Sequence, residues 1–223
     1  MKKIAIVASV VTLALGFTAF VAPKTTGDSN FEGTVTYTMT VDNQQYAQYF
    51  AGSTVTVSIK GSKSKWSTNS MMYKRIEISD ANSSDNPVKL VEAGGNKYQV
   101  KDTAKTEKDP VIKYVDGSKV VAGYTCKKAQ VTSTDKTGQS ITTDVYYTDK
   151  IVTSESKKGK FKGLNGFPLE FSVSQQGMSI TISATEVKTE SVSDNTFTIP
   201  KGYKLMTEAE IRADMMKNMG GGN

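Results

Sequence analysis

Apolar and polar residues alternate along most of the chain after residue 30. In GTVTYTMTV (33–41), the apolar side chains are separated from one another by threonines. The same alternation is found in TVTVSIK (54–60), ITTDVYY (141–147), FPLEFSV (167–173) and MSITISA (178–184). A period of two predicts strands of an antiparallel sheet, with one face buried and the other wetted by Ser, Thr and Lys.

Turn-forming residues separate these segments, as hairpin connections require. Gly61 follows the second segment, and the EAGGNK stretch (92–97) lies between two further apolar runs. The segments between such turns predict about ten strands in a meandering sheet that is strongly curved or rolled. The fold class is therefore predicted to be mainly β, with a curved antiparallel sheet.

One short segment, DNQQYAQYFAGS (42–53), breaks the alternation. Asp42 and Gln45 have the spacing of a helix capping box, and Gly52 stands where a helix would end. Tyr46, Tyr49 and Phe50 would share one face of that helix. The alternative is a wide hairpin loop rich in aromatic residues.

The C-terminal segment has a stronger helical pattern. Thr207 and Glu210 form a capping box, and Ile211, Met215 and Met219 repeat at a spacing of four residues. This stripe is predicted to pack on the sheet; the alternative is an adaptable lid or partner surface, because methionine repacks easily. The two helices together offer six candidate lid residues: Tyr46, Tyr49, Phe50, Ile211, Met215 and Met219.

The first 22 residues have the pattern of a cleaved secretory signal peptide. Lys2 and Lys3 precede an uncharged stretch that runs from Ile4 to Ala22. An uncleaved membrane anchor is the alternative, and the polar residues of the stretch disfavour it. The chain is expected in the periplasm or outside the cell, without lipid attachment, since no cysteine follows the stretch. Its predicted divisions are the signal peptide (1–22), a flexible spacer (23–30), an antiparallel β domain (31–206) and a C-terminal helix with a Gly-rich tail (207–223).

Composition narrows the chemistry that the chain can perform. Its 223 residues include no His and one Cys. The absence of His removes the commonest general base, the commonest zinc ligand and the partner of most Ser and Cys nucleophiles. We therefore predict no catalytic residues, no metal site and no cofactor, and expect a protein that is not an enzyme. An enzyme would need a carboxylate pair that only the fold brings together.

The charge of the chain is mildly positive. The formal net charge is +6, and removal of Lys2 and Lys3 leaves 26 basic and 22 acidic residues, or +4. An excess this small and scattered does not predict nucleic-acid binding. Two lysine-rich stretches, KGSKSKW (60–66) and SKKGKFKG (156–163), could contact anionic lipid head groups or polysaccharide. They could equally protect exposed sheet edges from aggregation.

The single cysteine lies in VVAGYTCKKAQV (120–131) and is followed by two lysines. Val120, Ala122, Tyr124 and Cys126 are predicted to share one face of a single strand. Ala129 and Val131 have the opposite parity, so a bulge is predicted near Lys127 and Lys128. With no His to activate it, Cys126 is predicted to be a buried free thiol that fills space in the core. A reactive thiol is the alternative.

Trp66, the only tryptophan, lies in one of the predicted strands. Core packing is the default for such a residue, and contact with a ligand is the alternative. The apolar faces of the clearest strands supply the candidate ligand-lining residues, which are Tyr37, Met39, Val57, Ile59, Trp66, Phe171, Ile180 and Ile182.

Several motifs together resemble a known family. They are VTVSIKGSKSKW, VVAGYTCKKAQV, VYYTDKI with FKGLNGFPLEF, and the ending FTIPKGYKLMT. On these motifs residues 31–206 resemble the domain of unknown function 4412 family, which is similar to the GLPGLI proteins of bacterial envelopes. The resemblance implies a structural relation to the LolA/LolB lipoprotein carriers and RseB-type sensors. It thus implies a half-open antiparallel barrel whose concave apolar side is covered by one or two helices.

Two functions follow as expectations. The first is an extracytoplasmic, non-enzymatic protein that binds or carries a lipid or acyl chain on the concave face of its sheet, by burial alone. The alternative is an envelope interaction, sensor or scaffold module that binds a protein partner through a sheet edge or the Met-rich C-terminal helix.

Overall fold

The structure is a computed structural model that describes residues 31–71, 73–101, 108–134, 138–157, 159–175 and 178–220. The predicted signal peptide and spacer (1–30) and the end of the Gly-rich tail (221–223) lie outside these ranges.

Within the described residues, twelve strands form one sheet, and two α-helices are present. The strands are β1 (Gly33–Val41), β2 (Thr54–Lys60), β3 (Lys63–Asn69), β4 (Tyr73–Asp80), β5 (Val88–Ala93), β6 (Asn96–Val100), β7 (Val111–Val121), β8 (Tyr124–Thr134), β9 (Ser140–Thr148), β10 (Phe167–Gln175), β11 (Met178–Thr189) and β12 (Lys204–Met206). The helices are α1 (Gln44–Phe50) and α2 (Glu208–Gly220).

The strand order shows two meanders that meet at β1. It runs β12-β6-β5-β4-β3-β2-β1-β11-β10-β9-β8-β7, so β1 lies between β2 and β11. Every neighbouring pair is antiparallel except β12 with β6, which is parallel. The sheet is open, because β7 and β12 are its two edges. The predicted fold class, mainly β with a curved and half-open antiparallel sheet, is confirmed.

Contacts between side chains on strands that are not neighbours show that the sheet is strongly curved. Trp66 on β3 and Phe171 on β10 are four strands apart, a distance of about 19 Å on a flat sheet. Their ring centroids nevertheless lie 6.4 Å apart. The hydroxyl of Tyr37 on β1 likewise donates a buried hydrogen bond to the carbonyl oxygen of Pro168, at 2.8 Å. The two halves of the sheet therefore fold towards each other, and their facing apolar side chains form the main core.

The outer face of the β3–β6 half is covered by the chain between β11 and β12. Phe197 and Tyr203 from this connection pack against a second apolar cluster of Ile76, Ile78 and Leu90. These three residues have the opposite parity to Trp66 in the strand register, which places them on the convex side. The C-terminal segment thus crosses behind the sheet before it adds β12 to the edge.

Both predicted helices are present, with one change at the first. The side chain of Asn43, not Asp42, caps α1, and its Oδ1 accepts a hydrogen bond from the backbone N–H of Gln45. The predicted capping box of α2 is confirmed: the Glu210 carboxylate accepts from the backbone N–H of Thr207 at 2.7 Å. No helix in the described part of the chain is long and apolar enough to cross a membrane.

Candidate functional site

The concave face of the sheet is covered by the described part of the connection between β9 and β10, residues 149–157 and 159–166, which we call the covering segment. It contains two short 3-10 turns, Ser154–Lys157 and Gly159–Phe161. Ile151, Phe161 and Leu164 are its buried apolar side chains, and all three belong to the main core. The covering segment therefore closes the inside of the curved sheet with side chains of its own.

Polar contacts attach the covering segment to its surroundings at several points, among them the ion pairs of Asp149 with Lys127 and of Lys162 with Asp109. The hydroxyl of Ser154 donates to the carbonyl oxygen of Gly61 at 3.1 Å. Near the other end, the hydroxyl of Tyr114 on β7 donates to the carbonyl oxygen of Gly163 at 3.2 Å and accepts from the N–H of Asn165 at 3.0 Å. Between these anchors the buried side chains of Phe161 and Leu164 add apolar burial, a non-directional interaction.

Five aromatic rings meet where the covering segment packs on the sheet: four come from the strands and the fifth is Phe161 of the segment itself. Trp66 lies 6.1 Å from Tyr37, 6.5 Å from Phe161 and 6.5 Å from Phe167, measured between ring centroids. Phe161 packs edge-on against Phe171 at 4.9 Å. Tyr37, Phe167 and Phe171 are almost fully buried, whereas Trp66 is only half-buried. Trp66 is therefore where this aromatic cluster approaches solvent.

A cation lies over this cluster. The Nζ of Lys160, in the covering segment, is 4.5 Å from the ring centroid of Phe171, 5.1 Å from Phe161 and 5.5 Å from Trp66. These distances are within the range of cation–π attraction. The side chain of Lys160 is exposed, so its charge lies at the boundary between the aromatic cluster and water.

The structure brings the predicted ligand-lining residues together on the concave face. Register pairs Met39 with Ile182, Phe171 with Ile182 and Val57 with Trp66, so these strands present one continuous apolar surface. Met39 and Trp66 are half-buried. The other six are buried: Tyr37, Val57, Ile59, Phe171, Ile180 and Ile182.

The predicted lid residues lie at two different places. In α1, Tyr46 and Tyr49 are 38% and 45% exposed, and Phe50 is half-buried against the main core. In α2, Ile211 is buried and Met215 is half-buried. Met219 lies within α2, but its side chain is outside the described part of the structure. The covering segment, which the alternation of apolar residues did not reveal, adds Ile151, Phe161 and Leu164 to the side chains that fill the concave face.

One cavity lies beside Trp66 and another lies at the hairpin ends of the sheet. The first, about 40 Å³, lies beside Trp66 and is lined by Ser62, Ser64, Glu77, Ser79, Ala81, Pro87, Ser154 and Gly159. The second, about 340 Å³, is a shallow cleft among the hairpin ends of β3–β4 and β5–β6. The first has room for about three water molecules. Because the aromatic cluster is otherwise packed, an apolar ligand needs the covering segment to move.

Cys126 is fully buried in the main core, and the thiol donates to the carbonyl oxygen of Tyr124 at 3.5 Å. Burial is the main reason that the pKa of this thiol is raised from 9.0 to about 11. The two lysines that follow point away and bind carboxylates: Lys127 contacts Asp149 and Lys128 contacts Asp144, both at 2.7 Å. The thiol therefore lacks the environment of a reactive thiolate.

The strand around Cys126 differs from the predicted one in two ways. Ala122 and Gly123 both have positive φ, 47° and 82°, and form the tight turn between β7 and β8. Val120 and Cys126 are therefore on different strands, and Val120 is exposed. The parity change near Lys127 is present, but the register shift that accompanies it lies in β7, between Val115 and Ser118.

We expect the buried thiol to make stability depend on pH. The unfolded chain ionises Cys126 near pH 9, whereas the folded chain retains the proton up to about pH 11. The stabilisation from this thiol is therefore complete below pH 9 and is lost as the pH rises towards 11. Urea denaturation of the wild type and of Cys126→Ala should show a free-energy difference that shrinks across this interval. A difference that is independent of pH would contradict the assignment.

The described residues hold no group of three or more His, Cys, Asp or Glu side chains arranged to bind a metal ion. The arrangement under the covering segment is instead apolar and aromatic, with one cation at its boundary.

Residues 31–203 match the model of a family described as a domain of unknown function, DUF4412. The chain belongs to the DUF4412 family. The resemblance drawn from its sequence motifs is therefore confirmed. No curated protein sequence matches this DUF4412 member.

Solved structures show remote similarity. The crystal structure of MucB aligns at a TM-score of 0.36 and 11% identity over 78% of this chain, which spans only 59% of the MucB chain. The crystal structure of LprF from Mycobacterium bovis aligns at a TM-score of 0.34 and 13% identity, over 78% of this chain and 90% of LprF. The complex structure of Pseudomonas aeruginosa MucA/MucB aligns at a TM-score of 0.31 and 13% identity, over 79% of this chain and 59% of that chain.

Proposed function

We propose that this DUF4412 member is a non-enzymatic binding protein that accepts a lipid acyl chain between the concave face of its sheet and the covering segment. The observation that carries the proposal is the aromatic cluster: four rings of the sheet converge with Phe161 of the covering segment, and Trp66 connects them to solvent. Without a ligand, the side chains of the covering segment would occupy the place that the acyl chain takes when it binds.

Burial of an acyl chain and burial of the covering segment stabilise the protein by similar amounts. A chain that buries ten methylene groups gains about 8 kcal/mol from burial alone. Burial of Ile151, Phe161 and Leu164 contributes about 1.5–3 kcal/mol for each side chain, or about 4–9 kcal/mol together. The covering segment and an acyl chain can therefore exchange without a catalytic group or an external energy source.

The place of action proposed for the protein is outside the cytoplasm. The support is the signal-peptide pattern of residues 1–22, which lie outside the described part of the structure. An acyl-binding protein in the periplasm or beyond would shield its ligand from water between membranes.

A protein-binding role is the second candidate. Met216 of α2 is 64% exposed, and the edge strand β7 exposes Val111 and Val120. The irregularity at Asp116 and Gly117 interrupts β7, however, and bulges of this kind protect edges from pairing with other chains. The exposed methionine of α2 is therefore the stronger support for a partner.

Fluorescence of the single tryptophan tests the acyl-binding proposal directly. A chain that enters the aromatic cluster contacts Trp66, so a fatty acid brominated at mid-chain should quench its emission on binding. Titration with the unbrominated parent gives the control, because it occupies the same place without a quencher. Equal emission in the two titrations, together with no lipid seen by native mass spectrometry of protein from its own cells, would rule out acyl binding.

A further inference from the structure

We infer that α1 is the part of the protein that contacts a lipid bilayer, and that the acyl ligand enters and leaves the concave face at this contact. The inference rests on the proposed function and adds the partner with which the ligand is exchanged. It comes from the burial of the inner face along the strands and from the residues that α1 exposes.

The apolar inner face becomes more accessible towards α1. On β1, Tyr37 is fully buried, whereas Met39 and Val41, which follow it towards α1, are half-buried. On β10 the same change occurs between Phe171, which is almost fully buried, and Val173, which is half-buried. The inside of the curved sheet is therefore open at the end where β1 leads into α1.

The helix α1 borders this open end. Phe50, at the end of α1, packs half-buried against the main core, as do Met39 and Val41. None of the seven residues of α1 is fully buried. The helix is thus a surface element next to the apolar inner face and not a part of the core.

The aromatic face of α1 extends from the core into solvent. Tyr46, Tyr49 and Phe50 have the spacing of neighbours on one helix face, and both tyrosines are exposed. A tyrosine combines an apolar ring with a polar hydroxyl group, and such residues are enriched where a membrane meets water. The exposed face of α1 therefore has the composition of an interfacial membrane contact.

The surroundings of α1 are uncharged and expose a further apolar side chain. No charged residue lies between Asp42 and Lys60 in the sequence. Thr54, which follows the turn after α1, lies opposite Asn69, so the β3–β4 turn is at the same end of the sheet. Met71 in that turn is 78% exposed. We call the exposed apolar residues of this end the apolar rim: Tyr46, Tyr49 and Met71.

The opposite end of the sheet is charged. Lys60 and Lys63 flank the β2–β3 turn there, and both bind Asp194. Lys127 and Asp149 form another ion pair at that end. Because moving a charge out of water costs free energy, the uncharged end is the one that can enter the head-group layer of a bilayer.

A bilayer is the partner that this arrangement fits, because its acyl chains are the proposed ligand. With the apolar rim in the head-group layer, a chain leaving the bilayer would first meet Val41, Val173 and Met39. It would then reach the aromatic cluster without crossing water, whose contact with the chain is the main cost of transfer.

Co-sedimentation with vesicles of dioleoyl phosphatidylcholine tests the contact. We expect the wild type to bind, and the double variant Tyr46→Ala/Tyr49→Ala to bind about tenfold more weakly, because it lacks both interfacial rings. Binding should change little between about 0.1 M and about 1 M salt, since the rim carries no charge. Leu205→Ala is the matched control: Leu205 is 60% exposed on β12, outside the rim, so its removal should leave vesicle binding unchanged.

A fatty acid brominated at mid-chain separates this inference from the proposed function. Added without vesicles, it should quench Trp66 equally in the wild type and in the double variant, because the rim lies outside the aromatic cluster. Transfer of the same chain from vesicles should be about tenfold slower in the double variant, in line with its weaker vesicle binding.

Three results would overturn the inference and leave acyl binding intact. They are quenching without any vesicle binding, equal vesicle binding by the wild type and the double variant, and binding that requires anionic lipid and is lost at high salt. The last result would assign the contact to the lysine-rich stretches 60–66 and 156–163. Vesicle binding through the rim without quenching by the fatty acid would instead overturn the proposed function and leave the membrane contact.

Discussion

Phe171→Ala is expected to lower the free energy of unfolding by about 4 kcal/mol, the usual range for loss of a buried aromatic side chain. Phe171 is almost fully buried, and its ring contacts those of Tyr37, Trp66 and Phe161. Because these rings come from β1, β3 and the covering segment, the cavity would weaken contacts between both halves of the sheet. Urea denaturation followed by far-ultraviolet circular dichroism measures the change.

Tyr49→Ala is the control for this prediction. Tyr49 is an aromatic residue of α1 that is 45% exposed, so its removal should change the free energy of unfolding by no more than about 0.5 kcal/mol. Similar losses in the two variants would mean that the rings around Trp66 do not form the core described above.

Phe161→Ala should have opposite effects on stability and on binding. Its ring is buried in the closed covering segment, so we expect a loss of about 3 kcal/mol in the free energy of unfolding. The same loss favours the open arrangement that a ligand needs, which raises the binding-competent fraction. The affinity for an acyl chain should therefore rise by about 10- to 100-fold, as measured by quenching of Trp66.

Phe167→Ala separates this effect from simple destabilisation. Phe167 is fully buried and lies near Trp66, but it belongs to β10 and not to the covering segment. It should destabilise the protein to a similar extent and should not increase the affinity. If Phe161→Ala also bound no more tightly than the wild type, displacement of the covering segment would be excluded as the route of entry.

Local periodicity was enough to predict most of the sheet. In β2, Val55, Val57 and Ile59 alternate with half-buried polar residues as the period of two requires. The turn between β7 and β8 was missed because Ala122, which has no special preference for positive φ, occupies a position usually taken by Asn, Asp or Gly. The cap of α1 was placed at Asp42 because neighbouring Asn43 is an equally good capping residue.

The site depends on contacts that no local pattern encodes. Phe161 and Leu164 lie in a short stretch rich in lysine and glycine, with neither a period of two nor a helical period. They are buried because the sheet curves enough to bring side chains of β3 and β10 together on its concave side, where the covering segment packs. Arg75 and Glu77 on β4 likewise come to share a face with Lys89 only through the register between β4 and β5.

The parallel pairing of β12 with β6 has a consequence for the order of folding. Strands β2–β6 can form from hairpins between neighbours in the sequence. The outer edge of β6, however, stays unpaired until Lys204–Met206, about 100 residues later in the sequence, forms β12. Contacts this distant in sequence slow folding. A nascent or truncated chain would therefore keep the backbone of β6 unpaired, a template on which chains can aggregate until the last strand arrives.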